Sequence, residues 1–485
     1  MKKLLLAFAF SCAAAAPAAA REPAVAGQFY PADKAELTRF VDESLAAKGP
    51  ARPDGKVAAV LAPHAGYEFS GKMAALAYKY IADSYDTVVI LATGHTEAVK
   101  GAALLASDSY ATPLGRVQTD TELAAALLKA SPLFEDRPSA HAREHAVEVQ
   151  LPFLQRRLKK PFKLLAATLN TEDLNALKTI GAALAAALKG KKALLVISTD
   201  FSHYPAHTDA AASDGAMLLA VESMDPSLVW TTSRMLLAKK IPALETCACG
   251  EAALEAGMEA LRLLGARSFY PFKISDSFSE APASSGAERV VGYISGVFLK
   301  SGRPAELGLS KTQKAVLLKE ARATLENYFS GKQPAAGLDA DPRLDLPGAA
   351  FVTLTKDGAL RGCVGTVEPA MTLMDAVRYG AFSAALRDGR FPPVTLGELP
   401  GLRLEVSVLS PLKPVKVDDI KPGVSGVVAV SDGHSGLFLP QVWEQIPGKA
   451  DFLGELCSQK AGLPRDCWKD GKTRLYSFTV DAVKE

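Results

Sequence analysis

Three apolar runs in the first half of the chain each end in a histidine. Val57–Ala62 (VAAVLA) runs into Pro63-His64-Ala65-Gly66, Thr87–Thr93 (TVVILAT) into Gly94-His95, and Ala193–Thr199 (ALLVIST) into Asp200-Phe201-Ser202-His203. Uncharged runs of this length predict buried strands, and the small residues after them let backbone and ligand come close. Between and after them, helical periodicity predicts helices over Lys34–Ala47, Lys72–Asp83, Thr119–Ala130 and Thr171–Leu188. Phe162–Leu169 predicts a further strand. This β-α-β rhythm predicts an α/β fold with a mostly parallel central sheet covered by helices. In such sheets the ligand crevice lies outside the carboxyl ends of the strands, so the three histidines are expected at one shared site.

The polar segment Ser139–Gln150 (SAHAREHAVEVQ) carries His141 and His145 four apart and Glu144 and Glu148 four apart. On a helix each pair would share a face and His145 would neighbour Glu148, a pair suited to supporting a site or moving a proton. Further on, Asp209–Val221 and Leu228–Leu237 predict helices, and Ser268–Ser275 and Arg289–Leu299 predict strands. The pattern changes after Ser301–Gly308. A helix over Ser310–Phe329 and a Pro/Gly/Asp-rich loop, Gly331–Gly348, precede an α+β pattern with strands at Ala349–Thr355, Leu402–Leu409, Val427–Val430 and Ser435–Leu439, a helix at Met371–Arg387, and a closing strand at Arg474–Val483. The expected division is a leader over 1–20, a first domain over 21–300, a linker over 301–308 and a second domain over 309–485.

Composition changes this picture in three places. A length of 485 residues is too great for one core, whereas 48% apolar and 22% charged residues with a net charge of +2 give no reason to expect nucleic acid as a partner. Lys2-Lys3, the apolar run Leu4–Phe10 and the small residues Ala13–Ala20 have the layout of a secretory signal peptide, with Arg21 as the first mature residue and export to the periplasm or medium as the expectation. Lipoprotein anchoring through Cys12 is the lesser reading, and no later run is long enough to span a bilayer. After removal of Cys12, five cysteines remain, an odd number in an oxidising compartment. Cys457 and Cys467 are the expected disulfide pair, whereas Cys247 and Cys249, one residue apart, are better explained by a site.

Six of the seven histidines (His64, His95, His141, His145, His203 and His207) fall in the first domain. Neutral imidazole is the commonest metal ligand, and borderline ions accept imidazole together with carboxylate or thiolate. Ligands drawn from separate strand ends suit an open centre with room for substrate rather than a closed structural site.

The motifs AVAGQFYPAD, LAPHAGYEFSG, VILATGHTE, YATPLG, EHAVEVQLPFL and STDFSHY, in this order, resemble the Memo family over residues 22–300. The resemblance implies the LigB-like fold of the class III extradiol dioxygenases and a site of two histidines and one cysteine that binds iron or copper. His64 and His95 are then the two histidine ligands. The cysteine is Cys247 or Cys249, with Cys247 favoured because the family cysteine tends to precede a Gly-containing turn into a helix. Asp200 and His203 match further pocket positions. Where the family often has GPSHH this chain has ATGHT, so the histidine next to the ligand is missing.

The segments GAAFVTLTKDGALRGCVGT, DGRFPPVTLGELPGLRLEVSVLSP and GLFLPQVWEQ resemble the AMMECR family over residues 309–485. That resemblance implies a smaller α+β domain and no established activity. Two glycines flanking Cys363 beside Arg361 suggest a thiol held near a cation, which would lower its pKa, or a small buried cysteine at a close strand crossing. Glu405, Ser407 and His434 are its candidate companions. Memo-like, AMMECR-like and radical-SAM proteins make up the AmmeMemoRadiSam grouping, which implies a functional link to a radical-SAM protein.

The first reading is a metal-dependent oxidoreductase of unknown substrate, with iron or copper on His64, His95 and Cys247 or Cys249. His203, Asp200, His145 and Glu148 would position a small-molecule or peptide substrate and move protons, and Cys363 would act in the second domain. The alternative is a non-catalytic periplasmic module that carries copper or iron or binds peptides. A metal-dependent hydrolase using His145 and Glu148 is the third.

Overall fold

The computed structural model describes residues 20–106, 109–305, 308–332, 341–431 and 433–485. Except for Ala20, the expected leader lies outside the described residues, as does Cys12. Among the described residues no helix is long and apolar enough to cross a membrane.

Eight strands form the large sheet: β1 (Val57–Ala62), β2 (Thr87–Thr93), β3 (Ala102–Leu104), β4 (Phe134–Asp136), β5 (Lys163–Leu169), β6 (Ala193–Ser198), β7 (Ser268–Asp276) and β8 (Gly292–Leu299). Their order is β7-β8-β1-β6-β2-β5-β3-β4. β1, β6, β2 and β5 are parallel, whereas β8 is antiparallel to β1 and β3 to β5. All seven residues of β2 are buried. Helices cover the sheet: Lys72–Tyr78 packs on β1, and Glu251–Leu263 packs on β2, β5 and β6. A strand buried on both faces has no polar side to alternate with, which is why these strands read as continuous apolar runs.

The parallel strands β1, β6 and β2 are neighbours, so their carboxyl ends open side by side. The helix expected over Lys72–Asp83 begins at Lys72 and ends earlier. A wide turn over Tyr67–Gly71 precedes it, from which the Tyr67 hydroxyl donates to Val149 O at 2.6 Å, and the helix stops at Tyr78.

Two compact units are formed. Of the described residues, one comprises those up to Thr199 with Gly250–Ala266 and Ser295–Lys300; the other comprises those of Asp200–Cys249, Arg267–Ile294 and Ser301–Glu485. In the second unit, the helices His207–Glu222 and Pro226–Ala238 pack together, and the first of them also packs on β7.

The C-terminal part of this unit holds two further sheets. In one, the antiparallel order is Ala359–Gly365, Pro347–Lys356, Leu402–Leu409, Val480–Lys484, covered by the helices Lys311–Phe329 and Leu373–Leu386. In the other it is Lys413–Pro414, Arg474–Phe478, Gly426–Ser431, His434–Phe438. The single closing strand expected over Arg474–Val483 is therefore two strands in two sheets. Between them Thr479 exchanges hydrogen bonds with Ser410, its carbonyl accepting from Ser410 N at 2.9 Å and its N–H donating to Ser410 Oγ at 3.0 Å. Cys457 and Cys467 form the expected disulfide.

Candidate metal centre

His64 follows β1 by two residues and is buried, at 2% exposure. Its Nδ1 lies 3.1 Å from Ser198 Oγ, at the end of the neighbouring strand β6. That hydroxyl donates its one proton to Ala146 O at 2.7 Å and accepts from Gln150 Nε2 at 2.9 Å. Nδ1 of His64 must therefore be the donor, which puts the imidazole lone pair on Nε2. Gln150 is fixed in turn, since Nε2 also donates to Pro63 O at 2.9 Å and Oε1 accepts from the Tyr78 hydroxyl at 2.8 Å.

His95, two residues beyond β2, is oriented by a carboxylate. Glu144 Oε1 accepts from His95 Nδ1 at 2.9 Å and from Ala146 N at 2.9 Å, and Oε2 accepts from His95 N at 2.6 Å. Burial alone would raise the Glu144 pKa, but the His95 hydrogen bond and charge, together with the Ala146 amide, hold it down at about 2. The carboxylate is thus ionised and only accepts, so His95 also carries its proton on Nδ1 and presents Nε2 as a ligand. His145 stacks on His95, with ring centres 4.5 Å apart and planes 15° apart, and its Nδ1 is 3.5 Å from the same Glu144 oxygen. The His64 ring stands edge-on to both, 5.3 Å from His95 and 5.5 Å from His145.

The two cysteines that the sequence left open are placed differently. Cys249 N donates to Asp200 O at 3.2 Å, and Asp200 N lies 3.3 Å from Cys249 Sγ. Cys247, the favoured ligand, is instead fully buried between Ser213 Oγ at 3.9 Å and Ser233 O at 3.7 Å. Gly250 is required by a close approach, because a Cβ there would come within 2.6 Å of Thr199 Cβ. Its N–H donates to Thr199 Oγ1 at 2.9 Å and opens the helix Glu251–Leu263.

His64 and His95 fit a bound metal ion: each has its Nδ1 engaged by an acceptor that fixes the ring and leaves Nε2 to ligate. His95, Glu144 and His145 form a group that could hold a metal ion, but the Glu144 oxygens already accept the bonds that orient His95. Asp200, His203 and Cys249 form another.

Other expected site residues are placed differently. The segment from Ser139 is not one helix. It is helical over Pro138–Ala142 and again only from Glu148. Arg21, the expected first mature residue, binds carbonyls of the interrupted segment: its Nε donates to His141 O at 2.9 Å, which also accepts from Glu144 N at 3.2 Å, and its Nη2 donates to Glu144 O. Glu148 is not paired with His145. It is fully buried in a salt bridge with Arg21 and also accepts from the Tyr30 hydroxyl and the amides of Ala24 and Val25. His141 bonds the Tyr110 hydroxyl through Nδ1 at 2.7 Å and Ala103 O through Nε2 at 3.0 Å, and burial depresses its pKa to about 4.

In the C-terminal part, Arg361 is drawn to Glu398 at 3.1 Å, so it is not the cation expected beside Cys363. Arg390 takes that place, donating to Cys363 O at 3.1 Å while paired with Asp388 at 2.7 Å. Burial raises the Cys363 thiol pKa despite the Thr353 hydrogen bond and the Arg390 charge, which agrees with the second of the two readings, the buried cysteine, and not with the lowered thiol of the first. Glu405 lies across the sheet from Cys363, both registered on Thr353, and accepts from Ser407 Oγ at 3.2 Å. His434 is exposed in the other sheet. Gly362 has a packing reason, since a Cβ there would sit 2.1 Å from Ala384 O.

Ser198 and Gln150 were not legible as site residues, and Glu144 was visible only by its spacing. The available signal was a polar residue closing or interrupting an apolar run, as in VIS and VQLPF.

The geometry is that of an α/β protein with groups of histidine, carboxylate and cysteine side chains that could hold a metal. The family model described as "Memo-like protein" matches residues 21–297, and that described as "AMMECR1" matches residues 318–483. The chain belongs to the Memo family and carries an AMMECR1 domain after the Memo segment. The MEMO1 family protein MK0963 of Methanopyrus kandleri is 33% identical over 289 residues, 57% of this chain and 98% of that protein. A MEMO1 family protein of Aquifex aeolicus is 35% identical over 279 residues, 58% of this chain and 99% of that protein. The crystal structure of the uncharacterized protein PH0010 from Pyrococcus horikoshii is 36% identical, covers 36% of this chain and 93% of that chain, and has a TM-score of 0.35.

Proposed function

We propose that the chain is an exported metal-dependent oxidoreductase that holds iron or copper on His64 Nε2, His95 Nε2 and Cys249 Sγ. The observation that carries this reading is the paired anchoring of the histidines: Ser198 fixes His64 at 3.1 Å and Glu144 fixes His95 at 2.9 Å, each through Nδ1. A redox-active ion there would supply one-electron chemistry at an open coordination position. Around it, Glu144 keeps His95 in the ligating tautomer, and His145, stacked on His95, can take or give a proton through its imidazole. Asp200 and His203, whose ligand atoms group with Cys249, can orient a polar substrate group. The disulfide Cys457–Cys467 supports export, because such bonds persist in oxidising compartments.

Metal analysis of the purified wild type against His64→Ala plus His95→Ala tests the ligand set. Stoichiometric iron or copper in the wild type and its loss in the double variant are expected; equal traces in both would remove the reading. Dioxygen consumption with phenols, thiols and peptides tests turnover. The thiolate also favours a second reading, a copper(I) carrier, for which tight copper(I) binding without dioxygen uptake is the expected result.

A further inference from the structure

We propose that Asp200, His203 and Cys249 form a second metal position for a borderline divalent ion such as zinc, with the Cys249 thiolate common to both positions. One carboxylate oxygen, one imidazole nitrogen and the thiol sulfur lie within 4.8 Å of one another. Carboxylate, imidazole and thiolate are all established donors to such ions, with bond lengths of about 2.0–2.3 Å, so small side-chain rotations bring the three onto one ion.

The donors are held by backbone rather than by chance side-chain contact. His203 N donates to Thr246 O at 3.0 Å and Glu245 N donates back to His203 O at 3.1 Å, a two-bond antiparallel bridge. Cys249 N closes the other end of this paired segment on Asp200 O at 3.2 Å. The loop between the two ligands is pinned as well. Phe201 N donates to Gly292 O at 2.8 Å and Ser202 N to Asp214 Oδ1 at 2.9 Å. Two short segments, Asp200–His203 and Glu245–Cys249, thus present three donors at fixed spacing. Asp200 is 3% exposed, and a carboxylate so buried is stabilised by a cation next to it.

A thiolate sulfur has lone pairs enough to bridge two ions, so occupation of this position is compatible with the use of Cys249 by the proposed centre. The inference shares that one residue with the proposed function, but Asp200 and His203 carry it, so the two readings fail separately.

The test is titration of the metal-free full chain with cobalt(II) alone, reading the thiolate-to-cobalt charge-transfer band and the bound equivalents. The wild type should bind two equivalents. Asp200→Asn plus His203→Gln should bind one, and His64→Ala plus His95→Ala should also bind one, each keeping the thiolate band. Each conservative change alone should weaken one equivalent by about 10–100-fold with the thermal midpoint of the metal-free chain unchanged. A single equivalent that survives Asp200→Asn plus His203→Gln and vanishes in the His64 and His95 variant overturns this inference and leaves the proposed centre standing. A single equivalent with the opposite dependence supports this position and removes the proposed centre. No cobalt binding overturns both.

Discussion

Glu144 holds His95 twice, through the ring Nδ1 at 2.9 Å and the backbone N–H at 2.6 Å. One buried carboxylate therefore fixes both the position of the loop after β2 and the tautomer of the histidine it presents. Glu144→Gln exchanges an ionised acceptor for a group that must point an NH2 or an oxygen at two donors. Metal affinity, measured by competition with a chelator of known strength, is expected to fall by about 10–100-fold. An unchanged affinity would show that Glu144 does not orient a ligand.

Ser198 performs the corresponding task for His64 through a hydroxyl already committed to Ala146 O and Gln150 Nε2. Ser198→Ala leaves the His64 Nδ1–H and one Gln150 N–H buried without this acceptor. A loss of about 1–3 kcal/mol in urea unfolding is expected, together with weaker metal binding. Loss of stability with metal affinity intact would assign Ser198 to the core alone.

Acid sensitivity should come first from His141. Burial lowers its pKa from 6.5 to about 4, so between those values the unfolded chain binds the proton that the folded chain refuses. Stability therefore falls as pH drops from about 6.5 to about 4, by an amount on the order of 3 kcal/mol. Glu144, whose pKa is lowered from 4.5 to about 2, acts in the next window, its contribution being lost as pH falls from about 4.5 to about 2. His141→Gln should flatten the upper part of the profile in pH-dependent urea melts and leave the lower part. An unaltered slope between pH 6.5 and 4 would count against this assignment.

The disulfide closes a short loop with a sequence separation of 10. Its reduction, or Cys457→Ser plus Cys467→Ser, should lower the stability of the C-terminal part by about 2–4 kcal/mol, read as a lower thermal midpoint in reductant. Indifference to reductant would contradict it.

The first three strands discussed, Val57–Ala62, Thr87–Thr93 and Ala193–Ser198, coincide with the apolar runs to within one residue because double burial leaves no other composition possible. The same runs placed His64 and His95 at strand ends. The interruption of the segment Ser139–Gln150 was not legible, since Arg21, which donates to His141 O and Glu144 O, lies more than a hundred residues away. The cation beside Cys363 was not legible either, since Arg361 finds Glu398 and Arg390 arrives from another loop.

The sequence by itself determined the α/β character, the Memo and AMMECR segments, the strand-end positions of His64 and His95 and the disulfide pair, all of which rest on local pattern or on motif. Only the tertiary structure decided the different surroundings of Cys247 and Cys249, the salt bridge of Glu148, and the contacts of Ser198, Gln150 and Glu144 with the two histidines and their neighbours. Those depend on which acceptor each polar atom meets once buried. The need for a partner is fixed by the residue type, but its identity is fixed by contacts between segments far apart in the chain.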